Sequence, residues 1–193
     1  MVVDWNQVRG YFYSLNEEIP YYAIGKASIV FCIGTLLFIS WKGLKTGIRL
    51  SSVLFLLEYV FLILCSTVFF RTTREIRKFD FHPFWSYKAI GEGRTELLPE
   101  NIMNVLAFVP IGLLFGIAFK HMTWWKVALI GCCISVSIEG LQFWLMKGFS
   151  ELDDVMHNTM GCILGYMVFL FVAKHGKRKK GTGTCFTNNR SLL

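Results

Sequence analysis

Five long apolar stretches alternate with shorter polar connections along this chain, at roughly residues 21–41, 53–70, 101–119, 125–145 and 155–173. Each approaches the roughly 20 residues that a helix needs to cross a bilayer. The pattern predicts an all-α fold, a polytopic membrane helical bundle of about five transmembrane helices. Residues 1–20 read differently. Trp5, Val8, Phe12 and Leu15 recur at steps of 3, 4 and 3, which is one face of a helix. Tyr11 and Tyr13 add amphipathic rings suited to the headgroup level, so an interfacial segment is expected before Pro20 turns the chain inward. The plain alternative is a polar terminus. The chain thus divides into an N-terminal segment (1–20), a bundle (21–173) and a basic tail (174–193) carrying a KRKK cluster at 177–180.

The connections differ in character. Lys42, Lys45 and Arg49 make the first one basic. The longest, 71–100, opens with Arg71, Arg74, Arg77 and Lys78, then runs through the aromatic FHPFWSY segment (81–87), expected as a loop packed at the interface or dipping into the bundle. Pro110 and Gly112 fall inside the third span and predict a kinked or locally opened helix. In the fifth, Asp154, Asn158, Gly161 and Gly165 share a face at steps of 4, 3 and 4, and Gly161-x-x-x-Gly165 permits close helix approach.

Composition supports the membrane reading. The chain has 193 residues, 54% hydrophobic and only 17% charged, with a mean hydropathy of +0.48. A soluble domain carries about 25% charged residues. The net charge of +7 fits Lys and Arg gathered on cytoplasmic connections and tail better than it fits nucleic-acid binding, which is not expected. Of six cysteines, Cys32, Cys65, Cys132, Cys133 and Cys162 lie in apolar stretches and Cys185 in the tail, with no C-x-x-C. Neither a disulfide framework nor a cysteine metal site is expected. The first 18 residues carry three acids and one base, unlike a cleavable signal peptide. With five spans, one side of the membrane receives 8 Lys and Arg and the other 11, the latter concentrated in short links and the tail. The expected orientation is therefore N-terminus outside and C-terminus cytoplasmic.

Candidate chemistry concentrates between Ser135 and Tyr166. Glu139 and Gln142 share a face within the fourth span, and Glu139 lies roughly 9 Å inside its far end at 1.5 Å per residue. A charged group at such depth costs roughly 2.5–3.5 kcal/mol on insertion scales and usually marks function. Glu151, Asp153 and Asp154 follow in the connection, and His157 and Asn158 open the fifth span. Asn101, Asn104 and Phe108 share a face at the start of the third. An antiparallel arrangement of the last three spans brings Asn101, Asn104, Glu139, Gln142, Asp153, Asp154 and Asn158 toward one outward-facing pocket. His157 falls on the neighbouring face, and Lys147 and the HPFWSY segment are expected at the rim.

Three blocks of these residues carry a family resemblance: HPFWSY (82–87), ENIMNVLAFVPIG (100–112), and IEGLQF (138–143) followed by KGFSELDDVMHNTMGCILGY (147–166). In order and spacing the chain resembles the VanZ-like family over about 82–166. The first block is similar to that family's Pro-Phe loop and the second to its Asn, Phe-x-Pro-x-Gly helix. The third is similar to its Glu-x-x-Gln and Asp-Asp-x-x-x-Asn-Thr-x-Gly series. Lys147 stands where members often have Arg; it keeps the charge but lacks the planar fork. The first two spans show no family motif. The resemblance implies a multi-pass protein of the bacterial plasma membrane, linked to susceptibility to glycopeptides of the teicoplanin type.

Several functions suit the cluster. One is binding or shielding of a lipid-linked wall precursor, or of the glycopeptide, at the outer leaflet, with Asn101, Asn104, Glu139, Gln142, Lys147, Asp154 and Asn158 as ligand-binding residues among membrane lipids. The alternative is a metal-dependent hydrolase or transferase acting on an envelope lipid. There Glu139, Asp153 and Asp154, with His157, would be the catalytic candidates around Mg²⁺ or Mn²⁺, hard cations that prefer oxygen ligands. A small transporter or proton-coupled channel using Glu139 has thinner support, since it rests on one acidic residue and no inverted repeat is visible. The plain structural reading is that the amides join helices by hydrogen bonds of about 1 kcal/mol, and that Asp153 and Asp154 cap the fifth helix.

Overall fold

The computed structural model describes the backbone of residues 21–42 and 44–182 and the side chains of 28–41 and 47–175. Expectations for 1–20, Cys185 and the end of the tail lie outside the described residues. Among the described residues six α-helices follow in order: α1 (Tyr21–Lys42), α2 (Leu44–Leu64), α3 (Trp85–Gly91), α4 (Leu97–Ala118), α5 (Trp124–Leu145) and α6 (Leu152–Thr182). Among the described residues four stretches are long and apolar enough to cross a membrane: Gly47–Phe69, Leu97–Ala118, Trp124–Leu145 and Leu152–His175. Ser28–Trp41 of α1 is a shorter apolar helix. The protein is an all-α membrane bundle.

Its exterior is what a bilayer selects. Leu36, Leu37, Leu57, Phe61, Leu106, Leu129 and Phe171 are exposed, because hydrocarbon solvates them as well as a core does. The interior is small and tight, with Val68, Ile111, Val127 and Cys162 wholly buried. α4 and α6 pack most extensively, α5 joins α6, α2 covers α4, and α1 packs on α2.

The contact between α4 and α6 is made backbone to backbone. A Cβ added at Gly161 would lie 2.1 Å from the carbonyl oxygen of Val105, one at Gly165 1.9 Å from that of Val109, and one at Gly112 1.9 Å from that of Cys162. Any side chain at these positions would force the helices apart. The expected small-residue face on α6 is therefore present, and α4 answers it with Gly112. Pro110 lies within a continuous α4. Pro110 has no N–H to give the carbonyl of Leu106, and one residue further on Tyr59 of α2 donates to the carbonyl of Ala107 at 3.0 Å, tying α2 to this part of α4.

Three connections depart from the sequence reading. The basic connection expected at 42–52 is almost entirely helix, since α2 begins at Leu44; a bilayer rewards a helix that hydrogen-bonds its own backbone. α4 starts at Leu97, because the Leu97-Leu98-Pro99 run suits a first turn, where proline loses no bond. The aromatic segment is half loop and half helix: Phe84 adopts a left-handed conformation with φ 63°, and Trp85 begins α3. α2 itself ends in a π-helical turn, Cys65–Phe69, closed by Phe70 N–H donating to Cys65 at 2.9 Å. Two-residue strands, β1 (Phe79–Asp80) and β2 (Ser150–Glu151), pair in parallel with Phe79 opposite Ser150. The π turn, the starts of α4 and α6 and the end of α5 consequently share one end of the bundle, under α3 and the strand pair.

Gly165→Ala should lower detergent-solubilised stability by about 1–3 kcal/mol, as overpacking does. Gly140→Ala, where nothing lies within 4 Å, should stay within about 0.5 kcal/mol of wild type. Thermal unfolding of the two variants side by side checks this.

Candidate functional site

The π turn at the end of α2 leaves the carbonyl of Thr67 without a helical partner, and Gln142 of α5 donates its Nε2–H to it at 3.1 Å. This bond joins two elements around a cavity of about 80 Å³. Its polar walls are Ser66, Thr67 and Arg71 after α2, Glu100 and Asn104 on α4, Glu139 and Gln142 on α5, and Asp154 and Asn158 on α6. Ile63, Ala107, Phe108 and Ile138 form its apolar part. At about 30 Å³ per water, the space holds a few waters or the tip of a small group.

The structure thus brings together Asn104, Glu139, Gln142, Asp154 and Asn158. Asn104 Nδ2 donates to Asp154 Oδ1 at 2.7 Å, and Asn158 Nδ2 donates to Ser135 Oγ at 2.8 Å. Glu139 Oε2 accepts from the Glu151 N–H at 3.1 Å, while its own carbonyl accepts from Ser150 Oγ at 2.7 Å.

The remaining candidates lie elsewhere. Asp153 turns toward α3, where Oδ1 accepts from Phe84 N–H at 2.6 Å and Oδ2 from Ser86 N–H at 3.0 Å and Ser86 Oγ–H at 2.6 Å. It caps the short helix and holds Phe84 in its left-handed turn, a conformation that costs about 1–2 kcal/mol for a side-chain-bearing residue. Asn101 donates to Ser86 Oγ at 3.1 Å and completes that cap. His157, one turn along α6, meets Tyr87 of α3 at 2.8 Å. Lys147 donates to the carbonyl of Arg71 at 2.7 Å and so fastens one connection to another. Consecutive helical residues are about 100° apart, which is why Asp153 and Asp154 serve different neighbours.

Four polar lining residues were not singled out from sequence as site members: Ser66, Thr67, Arg71 and Glu100. Glu100 had a readable signal, lying one turn before Asn104 on the same face. Arg71 is the first base after the second apolar stretch, with nothing local to mark it from Arg74 and Arg77. Two of the bases after it lie over one ring: Arg74 stands 4.2 Å and Lys78 5.2 Å from the centre of Phe149.

A divalent metal does not fit the residues proposed for it. Asp153 already accepts three donors, His157 is bound to Tyr87, and among the described residues no three His, Cys, Asp or Glu side chains gather as a ligand set.

The bundle, with a small polar cavity at one end, defines a multi-pass membrane protein. A model of the VanZ/LLP1 family matches residues 52–173, and the chain belongs to that family. It is similar to Protein VanZ of Enterococcus faecium, with 33% identity over 81 residues. That similarity covers 42% of this chain and 50% of the relative, so the chain spans about half the length of the curated relative it matches. No solved structure matches. The family match takes in most of α2, where no motif is visible, and with it Thr67 and Arg71.

Beside the cavity, burial and then the negative charges of Asp154 and Glu100 push the Glu151 carboxyl up to about 7. A carboxyl with a raised folded-state pKa holds its proton more tightly folded than unfolded. Its contribution is full below the ordinary 4.5 and is lost as pH rises through about 7. Stability should therefore decline across that window, and Glu151→Gln should flatten the decline; unfolding midpoints at a series of pH values check it.

Proposed function

We propose that this VanZ-like membrane protein serves the bacterial envelope by binding, and so shielding, the polar part of a lipid-linked component at the outer leaflet. Lowered susceptibility to teicoplanin-type glycopeptides is the consequence. One contrast carries the reading. Asp153, a carboxylate with an architectural task, accepts three hydrogen bonds. In the cavity, among the described residues, the Glu139 and Asp154 side chains accept one each, and Glu100 accepts none. Carboxylates are an expensive way to make so few bonds within a membrane. Capacity left open toward a cavity is what a ligand uses.

The proposed orientation places this cavity outside, in the plasma membrane, with the C-terminus cytoplasmic. At the opposite end of the bundle a groove is lined by Ile48, Arg49, Leu50, Val53, Ile117, Ala118 and Lys120, with two cations and no carboxylate. That distribution suits a cytoplasmic face.

In a sensitive host, wild type should raise teicoplanin tolerance. Glu139→Gln and Asp154→Asn, at matched membrane levels, should lose most of that protection. Full protection by both variants would leave the carboxylates as architecture and sink the binding role. A reporter fused after Leu193 should read as cytoplasmic.

A further inference from the structure

The walls of the cavity carry three carboxyl groups, Glu100, Glu139 and Asp154, against one cation, Arg71. Ser66 and Thr67 both give their hydroxyl hydrogens to the carbonyl of Ile63, at 2.9 and 2.8 Å. Asn104 and Asn158 have each committed an amide hydrogen, to Asp154 and to Ser135. Gln142 has committed its Nε2 to the Thr67 carbonyl. That carbonyl can only accept, so the amide cannot be flipped, and Oε1 is left buried with no hydrogen-bond partner among the described residues, in a residue 4% exposed. Against these stand the second oxygens of Glu139 and Asp154 and both oxygens of Glu100. Arg71 is the one cation among the lining residues, and among the described residues no salt bridge ties it to a lining carboxylate. Three carboxyl groups against one guanidinium, with an unpartnered amide oxygen beside them, suit a second, compact donor of positive charge.

We infer that the cavity takes a primary ammonium group carried on a membrane-anchored molecule, held by Asp154, Glu139, Glu100 and Gln142 Oε1. An –NH₃⁺ offers three donors in a small volume. A cavity of about 80 Å³ admits that tip and the methylene beside it, while a trimethylammonium is bulkier and has no hydrogen to donate. An anionic headgroup would face three carboxyl groups. The inference rests on the binding role proposed above and gives its ligand a chemistry.

The test uses the full chain in phosphatidylcholine nanodiscs containing graded phosphatidylethanolamine or phosphatidylglycerol, with free ethylammonium as a separate addition. Phosphatidylethanolamine should raise the unfolding midpoint saturably, and phosphatidylglycerol should not. Asp154→Asn and Glu100→Gln should each raise the half-saturating fraction about tenfold or more, as loss of a charged hydrogen bond does. Ser137→Ala, on the exposed face of α5, should not. A response to free ethylammonium alone keeps the ammonium chemistry and removes the ethanolamine headgroup as its source. Stabilisation by phosphatidylglycerol or by Mg²⁺ in place of the amines overturns the inference and leaves a binding cavity of another specificity. No response to either amine overturns it too, and the teicoplanin assay then decides the underlying reading: protection still lost in Asp154→Asn keeps a binding role, and protection retained ends both.

Discussion

Everything at the polar end of this bundle depends on how closely α4 and α6 approach. Without a hydrophobic drive between helices in lipid, contact must come from van der Waals packing and hydrogen bonds. Gly112, Gly161 and Gly165 let backbone meet backbone. At that separation the short Asn104 and Asp154 side chains reach each other at 2.7 Å. A wider spacing would require longer side chains or bridging water. The glycine seam is thus a gauge that sets the dimensions of the cavity one to two turns away.

The second determinant is how α6 distributes its first turns. Asp153 and His157 grip α3, Asp154 faces the cavity, and Asn158 ties α6 to Ser135 of α5. One polar run on a helix therefore does three jobs at once. The cap on α3 lies directly beside the cavity wall, so the rigidity of the short aromatic helix and the placement of Asp154 are linked through neighbouring residues.

Much of this was legible in the sequence, for reasons that can be named. Apolar runs of bilayer length have few alternatives to helices, so the all-α bundle followed from them. The face shared by Asp154, Asn158, Gly161 and Gly165 is local periodicity, which a sequence displays directly. What stayed hidden was decided by tertiary contact. Asp153 and Asp154 are adjacent and chemically equivalent, and only the position of α3 separates a cap from a cavity wall. Lys147 looked like a rim cation because its partner, a backbone carbonyl 76 positions away, carries no sequence signature. Arg71 was one base among several until the π turn and the seating of Phe149 distinguished them. The strand pair was invisible because two residues are too few to show a period.

That strand pair also bears on how the connections can vary. Ser150 N–H donates to the carbonyl of Lys78 at 3.1 Å, Arg74 N–H to that of Met146 at 2.7 Å, and Lys147 to that of Arg71 at 2.7 Å. These ties fix the chain at several points between Arg71 and Asp80. A strand's side chains alternate with a period of 2, so one inserted residue between Arg74 and Phe79 would reverse the facing of Phe79 and Asp80 or strip the ties that seat Arg71. This connection has little regular structure, yet it acts as a spacer of set length, where insertions and deletions should be far rarer than in the turn between α4 and α5.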